Sequence, residues 1–141
     1  MAGLPQYVTG PAINAMLILT TLTVGLHGSV TIGALTPIIA FMRGILPPIL
    51  GPAIPFIVVG NWLYVVLFQY IYKFNKVLAI GIAAVIKFLI LALAVQFIID
   101  IPPQAAQMLQ LPQLLTAVAG GIIALIIYPL LQNALNKTSQ N

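Results

Sequence analysis

The sequence contains no cysteine, and Asp100 is its only acidic residue in 141 positions. The absence of cysteine excludes disulfides, thiolate metal sites, cysteine ligands for iron–sulfur clusters and cysteine nucleophiles. The single histidine, His27, has no cluster of further ligands that would indicate a metal site. No glycine-rich phosphate loop ending in Lys and Ser/Thr is present. We therefore predict that this chain is not an enzyme, hydrolyses no ATP itself and holds neither a cofactor nor a metal.

Charge is scarce: 4% of the residues are charged and 62% are hydrophobic, with a mean hydropathy of +1.16. A soluble domain of this composition would not stay in solution, so an integral membrane protein is predicted. The apolar stretches are long and continuous, which indicates helices, because barrel strands alternate polar and apolar residues. The five basic residues are scattered and do not form a nucleic-acid-binding patch. The predicted fold class is an all-α, polytopic membrane bundle in contact with the lipid bilayer.

The hydrophobic pattern indicates one membrane domain without tandem repeats. Spans are predicted at residues 9–26, 30–43, 56–72, 77–99 and 112–131, with an interfacial segment at 104–111 and a polar tail at 132–141. Residues 44–55 are apolar but carry Pro47, Pro48, Gly51, Pro52 and Pro55, which argues against a continuous helix. Such backbone survives at membrane depth only where protein buries it or a cavity wets it. Five to six membrane segments are predicted, one of them short and broken by Pro and Gly.

The basic residues indicate the orientation, because cytoplasmic loops retain Lys and Arg. Lys73, Lys76 and Lys137 together predict a cytoplasmic C-terminus and place Asp100 outside. Arg43 leaves two drawings open. With five spans it lies outside; if the Pro-rich segment crosses the membrane as a sixth, broken segment, Arg43 and both termini lie inside. We favour the six-segment drawing.

Lys87 lies near the middle of residues 77–99, a run whose only other polar member is Gln96. A charged amine at the bilayer centre costs roughly 3 kcal/mol on insertion scales, so such residues usually face a protein interior or an aqueous cavity. Asp100 follows thirteen positions later, roughly 20 Å along a helix, which is too far for an ion pair. Three roles are open for Lys87: counter-ion to an anionic solute, partner of a carboxylate on another subunit, or proton relay.

Other polar residues inside the spans extend the candidate binding site. Asn61 and Gln69 are eight residues apart on the third span, which we interpret as one helical face. Asn14 and Thr21 share a face of the first span in the same way. The predicted substrate-binding residues are therefore Lys87, Asn61, Gln69, Asn14 and Thr21. Hydrogen bonds between helices are the alternative role for the four neutral residues.

Small residues on the last span form two ridges. Thr116, Gly120 and Ala124 repeat every four residues, and Ala117 and Gly121 do the same beside them. Such ridges let two helix backbones approach closely. We predict close packing against another helix, which belongs either to this chain or to a partner.

Aromatic residues on the third span form a stripe four residues apart, at Tyr64, Phe68 and Tyr72, with Trp62 nearby. Aromatic residues are enriched at membrane interfaces. We therefore interpret the stripe as belt and lipid-facing packing rather than as a stacking site for a planar ligand.

The Gly/Pro punctuation resembles that of a known group of membrane proteins. Small bacterial membrane proteins related to the substrate-binding components of energy-coupling-factor transporters, some of them labelled iron hydrogenase, show a similar run to Thr36, Pro37, Arg43, Gly44, Leu46, Pro47, Pro48, Pro52, Pro55, Phe56, Gly60 and Asn61. The resemblance covers most of the chain. It implies a six-helix protein of the bacterial cytoplasmic membrane that captures a small solute outside and delivers it through a transmembrane coupling protein and two ATPases.

The predicted function is therefore binding of a small solute for uptake, and Lys87 indicates an anionic group on that solute. Two other functions stay open from the residues. One is a non-catalytic anchor or proton-path subunit of a larger redox complex, in which Lys87 would face a carboxylate of another chain. The other is a homo-oligomeric channel whose shared pore is lined by Asn61 and Gln69.

Overall fold

A computed structural model describes residues 6–140, and every regular element in that range is helical. The helices are α1 (Gln6–Thr23), α2 (Leu26–Met42), α3 (Ile54–Ile71), α4 (Lys76–Phe97), α5 (Pro103–Met108) and α6 (Leu111–Ser139), with a 3₁₀ turn at Pro48–Ala53 between α2 and α3. No strand occurs in this range. The predicted all-α class is confirmed.

Three stretches among residues 6–140 are long and apolar enough to cross a membrane: Pro48–Ile71, Lys76–Phe97 and Pro103–Ser139. Two shorter apolar helices, Val8–Thr23 and Leu26–Met42, precede them. The outward faces of these helices carry many exposed large apolar side chains, such as Leu93, Ile126 and Leu130. Helices of this length and composition place the protein in a membrane.

Neighbouring helices α2 and α3 run antiparallel. The Asn61 amide nitrogen donates to the Gly33 carbonyl oxygen at 2.9 Å, and one residue further along α3 the Trp62 indole nitrogen donates to the Val30 carbonyl oxygen at 2.9 Å. As the chain advances on α3, its partner positions therefore move backward on α2. These two bonds also pair side-chain N–H groups that would otherwise lack an acceptor at membrane depth.

Helices α1 and α6 run parallel and pack closely. A Cβ added at Gly10 would lie 2.7 Å from Thr116 Cγ2, and a Cβ added at Gly120 would lie 2.6 Å from Asn14 Cβ. Contacts therefore advance together along both helices. Lys76 lies over the Tyr72 ring and Lys87 over the Tyr64 ring, so α4 runs antiparallel to α3. The start of α1 lies beside the end of α2, so α1, α3 and α6 run one way and α2 and α4 run the other.

The Pro-rich segment of residues 44–55 joins the C-terminal end of α2 to the N-terminal end of α3. Its 3₁₀ turn buries Leu50 and Ala53 in a small core with Leu91 of α4 and with Ala105 of α5. The predicted interruption of the helix is present. The segment does not run between the two ends of the bundle, however, because antiparallel neighbours need a connection at one end only. Residues 44–55 therefore connect two helix ends on the same side of the α2–α3 pair, and the number of membrane crossings stays a prediction.

The last helix differs from its predicted extent. We predicted a span ending at residue 131 followed by a polar tail, whereas α6 continues to Ser139 and includes Pro129. Residues 132–139 contain Gln, Ala, Leu and Lys, which have good helix propensity, so their polarity does not end the helix. Lys137 consequently lies in the last turn of α6.

The main core lies around α3, and this corrects the interpretation of its aromatic stripe. Tyr64 and Phe68 are fully buried, with 0% exposure, so they do not face lipid. They pack with small residues of α4, including Ala79 and Ala83. Because α1, α2 and α4 all contact α3, its aromatic face is covered by protein.

Candidate functional site

Lys87 is 3% exposed and lies inside the bundle on α4. Its Nζ donates to Asn14 Oδ1 on α1 at 2.6 Å and sits 5.2 Å from the centroid of the Tyr64 ring on α3. The ring face attracts a cation. No carboxylate among residues 6–140 pairs with Lys87, since Asp100 is exposed beyond the end of α4. One hydrogen bond leaves further N–H donors of the amine unused.

Asn14 is held so that its oxygen faces Lys87. Its side-chain nitrogen donates to the Gly10 carbonyl oxygen at 2.9 Å one turn earlier in α1, which leaves Oδ1 for the amine. The side chain is only 2% exposed. The sequence permits this approach of α1 because Gly120 on α6, opposite Asn14, has no side chain.

Tyr64 links the site to α6. Its hydroxyl donates to the Ala117 carbonyl oxygen at 2.7 Å. The Tyr64 ring therefore lies between Lys87 of α4 and Ala117 of α6. On the same helix Gly60 leaves space for the lysine, because a Cβ there would lie 3.3 Å from Lys87 Cγ. Helix α3 thus provides both the aromatic face and the gap that the lysine stem occupies.

Asn61 is the third polar residue of the site, and only part of its side-chain amide is hydrogen-bonded. Its side chain is 2% exposed, its nitrogen donates to Gly33 on α2, and its Oδ1 accepts no hydrogen bond from residues 6–140. A buried acceptor without a donor costs about 1–3 kcal/mol. A bound molecule with a suitable donor would remove that cost.

A cavity of about 90 Å³ connects these groups. Its polar lining includes Lys87, Asn14, Asn61, Thr36 and Gln113, and its apolar lining includes Ile13, Pro37, Leu46 and Ile57. Since one water needs only about 10–15 Å³ by this measure, the cavity has room for several waters or for a small organic molecule. We call it the Lys87 pocket.

The Lys87 pocket faces one end of the bundle. It is lined by residues early in α1, α3 and α6, by residues late in α2, and by Ile45 and Leu46 of the connection to α3. Ile45 is 42% exposed and lies at the mouth. Arg43 and Asp100 follow α2 and α4 at this end, whereas at the other end Lys73 follows α3 and Lys76 begins α4.

Three of the five predicted binding residues, Lys87, Asn61 and Asn14, come together in the pocket. Gln69 does not line it and is exposed. Eight residues of helix leave a rotation of roughly 80° between two side chains, which turns Gln69 away from the face that Asn61 occupies. Thr21 is buried at 4% exposure but also lies outside the pocket, and its hydroxyl donates to the Leu17 carbonyl oxygen at 2.8 Å.

Three polar lining residues, Thr9, Thr36 and Gln113, were absent from the predicted set. Thr36 and Gln113 share a sequence feature, because each lies next to a proline near the end of an apolar stretch, Pro37 in one case and Pro112 in the other. That signal is shared by many helix ends. Only the convergence of five helices identifies these two residues as pocket-lining.

Both small-residue ridges of α6 are buried within the chain, at Thr116, Gly120, Ala124, Ala117 and Gly121. The first ridge packs on α1, and on the second a Cβ at Gly121 would lie 2.6 Å from Ile80 Cγ2 of α4. These ridge residues therefore contact helices of the same chain.

Comparison of the chain with protein-family models, with curated proteins and with solved structures finds no match. The function proposed below follows from the geometry of the Lys87 pocket.

Proposed function

We propose that this protein is a membrane-embedded binding component that captures a small polar solute for uptake and has no ATPase of its own. The observation that carries the proposal is the Lys87 pocket, in which a buried amine with unused donors and the unpaired Asn61 Oδ1 line one cavity. Binding pockets for small molecules combine mostly apolar walls with a few convergent polar groups. Ionisable groups at membrane depth are rare, pair with other polar groups, and often mark the path of a substrate or an ion.

The orientation supports capture from outside. In the five-crossing arrangement, α1, α2, α3, α4 and α6 each cross once. Lys73, Lys76 and Lys137 then lie at one end, which is cytoplasmic by the distribution of basic residues. The mouth of the Lys87 pocket lies at the opposite, external end, together with Arg43 and Asp100. Delivery would require a transmembrane coupling protein and ATPases, as in energy-coupling-factor transporters of the bacterial cytoplasmic membrane.

The burial of Lys87 favours a solute over a subunit as its partner. The lysine is 3% exposed and contacts α1 and α3, so a helix of another protein has no lateral access to its amine. A shared pore lined by Asn61 and Gln69 is also disfavoured, since Asn61 faces the inside of one chain and Gln69 faces outward. Access to Lys87 is through the pocket, which is suited to a small molecule.

The test is mass spectrometry of small molecules released from protein that has been extracted gently from its own membranes. Wild-type protein is expected to release one solute at near-stoichiometric amount. Lys87→Met should lose that solute, because the substitution removes the amine while keeping a long apolar side chain. Lys76→Met makes the same replacement at an exposed position of the same helix and should retain it.

Helix content and elution as a single species must be unchanged in both variants for the comparison to hold. Retention of the same solute by Lys87→Met would refute the proposal. A wild-type protein that carries no solute but co-purifies with redox subunits would assign the chain to a membrane anchor instead.

A further inference from the structure

The polar groups of the Lys87 pocket constrain the chemistry of its ligand. Lys87 offers N–H donors and, as an ammonium, one positive charge, while Asn61 Oδ1 offers an unpaired acceptor. The only acidic side chain in the sequence, that of Asp100, is exposed at the end of the bundle. A ligand that carries a carboxylate supplies the counter-charge that the protein lacks. A ligand that also carries a donor satisfies Asn61.

Several classes of anion fit this arrangement poorly. A sulfate has no donor for Asn61 Oδ1, and its oxygens would repel that atom. An amino acid provides a donor, but its ammonium group would bring a second positive charge next to Lys87. A hydroxyl group donates a hydrogen bond without adding charge.

The size of the cavity and the polarity of its walls restrict the class of ligand further. The cavity volume of about 90 Å³ favours a small molecule. Apolar side chains at Ile13, Pro37 and Ile57 form much of the wall, which suits one small hydrocarbon group. We infer that the Lys87 pocket binds a short hydroxycarboxylate, with the carboxylate on Lys87 and the hydroxyl donating to Asn61. This inference rests on the proposed function and adds the class of solute to it.

The test is isothermal titration of the full-length protein in nanodiscs with three probes of nearly equal size: lactate, propionate and lactamide. Propionate lacks the hydroxyl, and lactamide lacks the charge. A buried acceptor left unpaired weakens binding about tenfold or more. We therefore expect lactate to bind at least about tenfold tighter than propionate, and tighter than lactamide by a similar factor.

Two variants assign the contacts. Asn61→Leu is expected to bring the lactate-to-propionate affinity ratio close to one, and Lys87→Met is expected to remove the preference for lactate over lactamide. Gln69→Leu is the matched control, because it replaces an amide with leucine on the exposed side of the same helix and should leave both ratios unchanged. The wild-type ratios test the inference even if a pocket variant does not fold.

Equal wild-type affinities for lactate and propionate, or for lactate and lactamide, would overturn the inference, as would failure of all three probes to bind. The mass spectrometry of released solute distinguishes failure of this inference from failure of the proposed function. A solute of another class that is lost in Lys87→Met would overturn the hydroxycarboxylate and keep solute capture. Absence of any released solute together with no probe binding would overturn both.

Discussion

Replacement of Gly120 by alanine tests whether the approach of α1 to α6 builds the site. A Cβ at this position would lie 2.6 Å from Asn14 Cβ, 2.7 Å from the Pro11 carbonyl oxygen and 2.8 Å from the Ala15 backbone nitrogen. Non-bonded carbon atoms prefer separations of about 3.5–4.0 Å. Two of the three atoms belong to the backbone, so a rotamer change cannot relieve the overlap. Helix α1 must therefore move away from α6 by about 1 Å.

The expected destabilisation has three contributions. Overpacking costs about 1–3 kcal/mol. A shift of α1 also separates Asn14 Oδ1 from Lys87 Nζ, now at 2.6 Å, and a buried amine without its acceptor costs about 1–3 kcal/mol more. The higher helix propensity of alanine offsets about 1 kcal/mol of this loss in stability. The net loss in the free energy of unfolding should be about 3 kcal/mol.

Gly81→Ala is the matched control for this measurement. It makes the same change in the second turn of α4, where nothing lies within 4 Å of the added Cβ, so we expect stabilisation by up to about 1 kcal/mol. Equilibrium unfolding of both variants and of the wild type in mixed micelles, followed by circular dichroism, gives the two differences. Gly120→Ala with a stability equal to or above that of Gly81→Ala would refute the role assigned to the α1–α6 contact.

Two further predictions concern the aromatic contact and the orientation. Tyr64→Phe keeps the ring but removes the 2.7 Å hydrogen bond to the Ala117 carbonyl oxygen, so the free energy of unfolding should fall by about 0.5–1.5 kcal/mol; an unchanged value in the same unfolding assay would show that this bond contributes nothing. Because the chain has no native cysteine, single variants report topology directly. Arg43→Cys and Asp100→Cys should react with an impermeant maleimide on intact cells, whereas Phe74→Cys should react only after lysis. Protection of position 43 on intact cells would contradict the five-crossing arrangement.

Composition and residue spacing predict much of this fold. The continuous apolar runs indicate helices in a membrane, and the prolines and glycines of residues 44–55 indicate an interrupted helix. Lys87 is identified by the cost of its charge at membrane depth, before any contact is known. These inferences depend on local sequence and on the membrane as solvent, which is why they need no tertiary structure.

The contacts between helices are less predictable because they depend on how each helix is rotated in the bundle. Asn61 and Gln69 are both polar residues of one apolar span, yet only Asn61 faces the pocket. Tyr64 and Phe68 resemble a lipid-facing stripe in sequence, but three neighbouring helices cover them. Sequence periodicity cannot distinguish a helix covered on most sides from one that faces lipid when nearly every residue is apolar. The course of residues 44–55 likewise depends on the antiparallel pairing of α2 with α3.

Because α1 pairs with α6, the site forms only after α6 has been synthesised. The hydrogen bond from Lys87 to Asn14 joins residues 73 positions apart, and the ridge of Gly120 that holds α1 in place belongs to the last helix. Chains are made from the N-terminus onward, so α4 and its lysine enter the bilayer before α6 has been synthesised. A nascent chain in which α6 is still incomplete therefore lacks the helix contact that holds Asn14 beside Lys87.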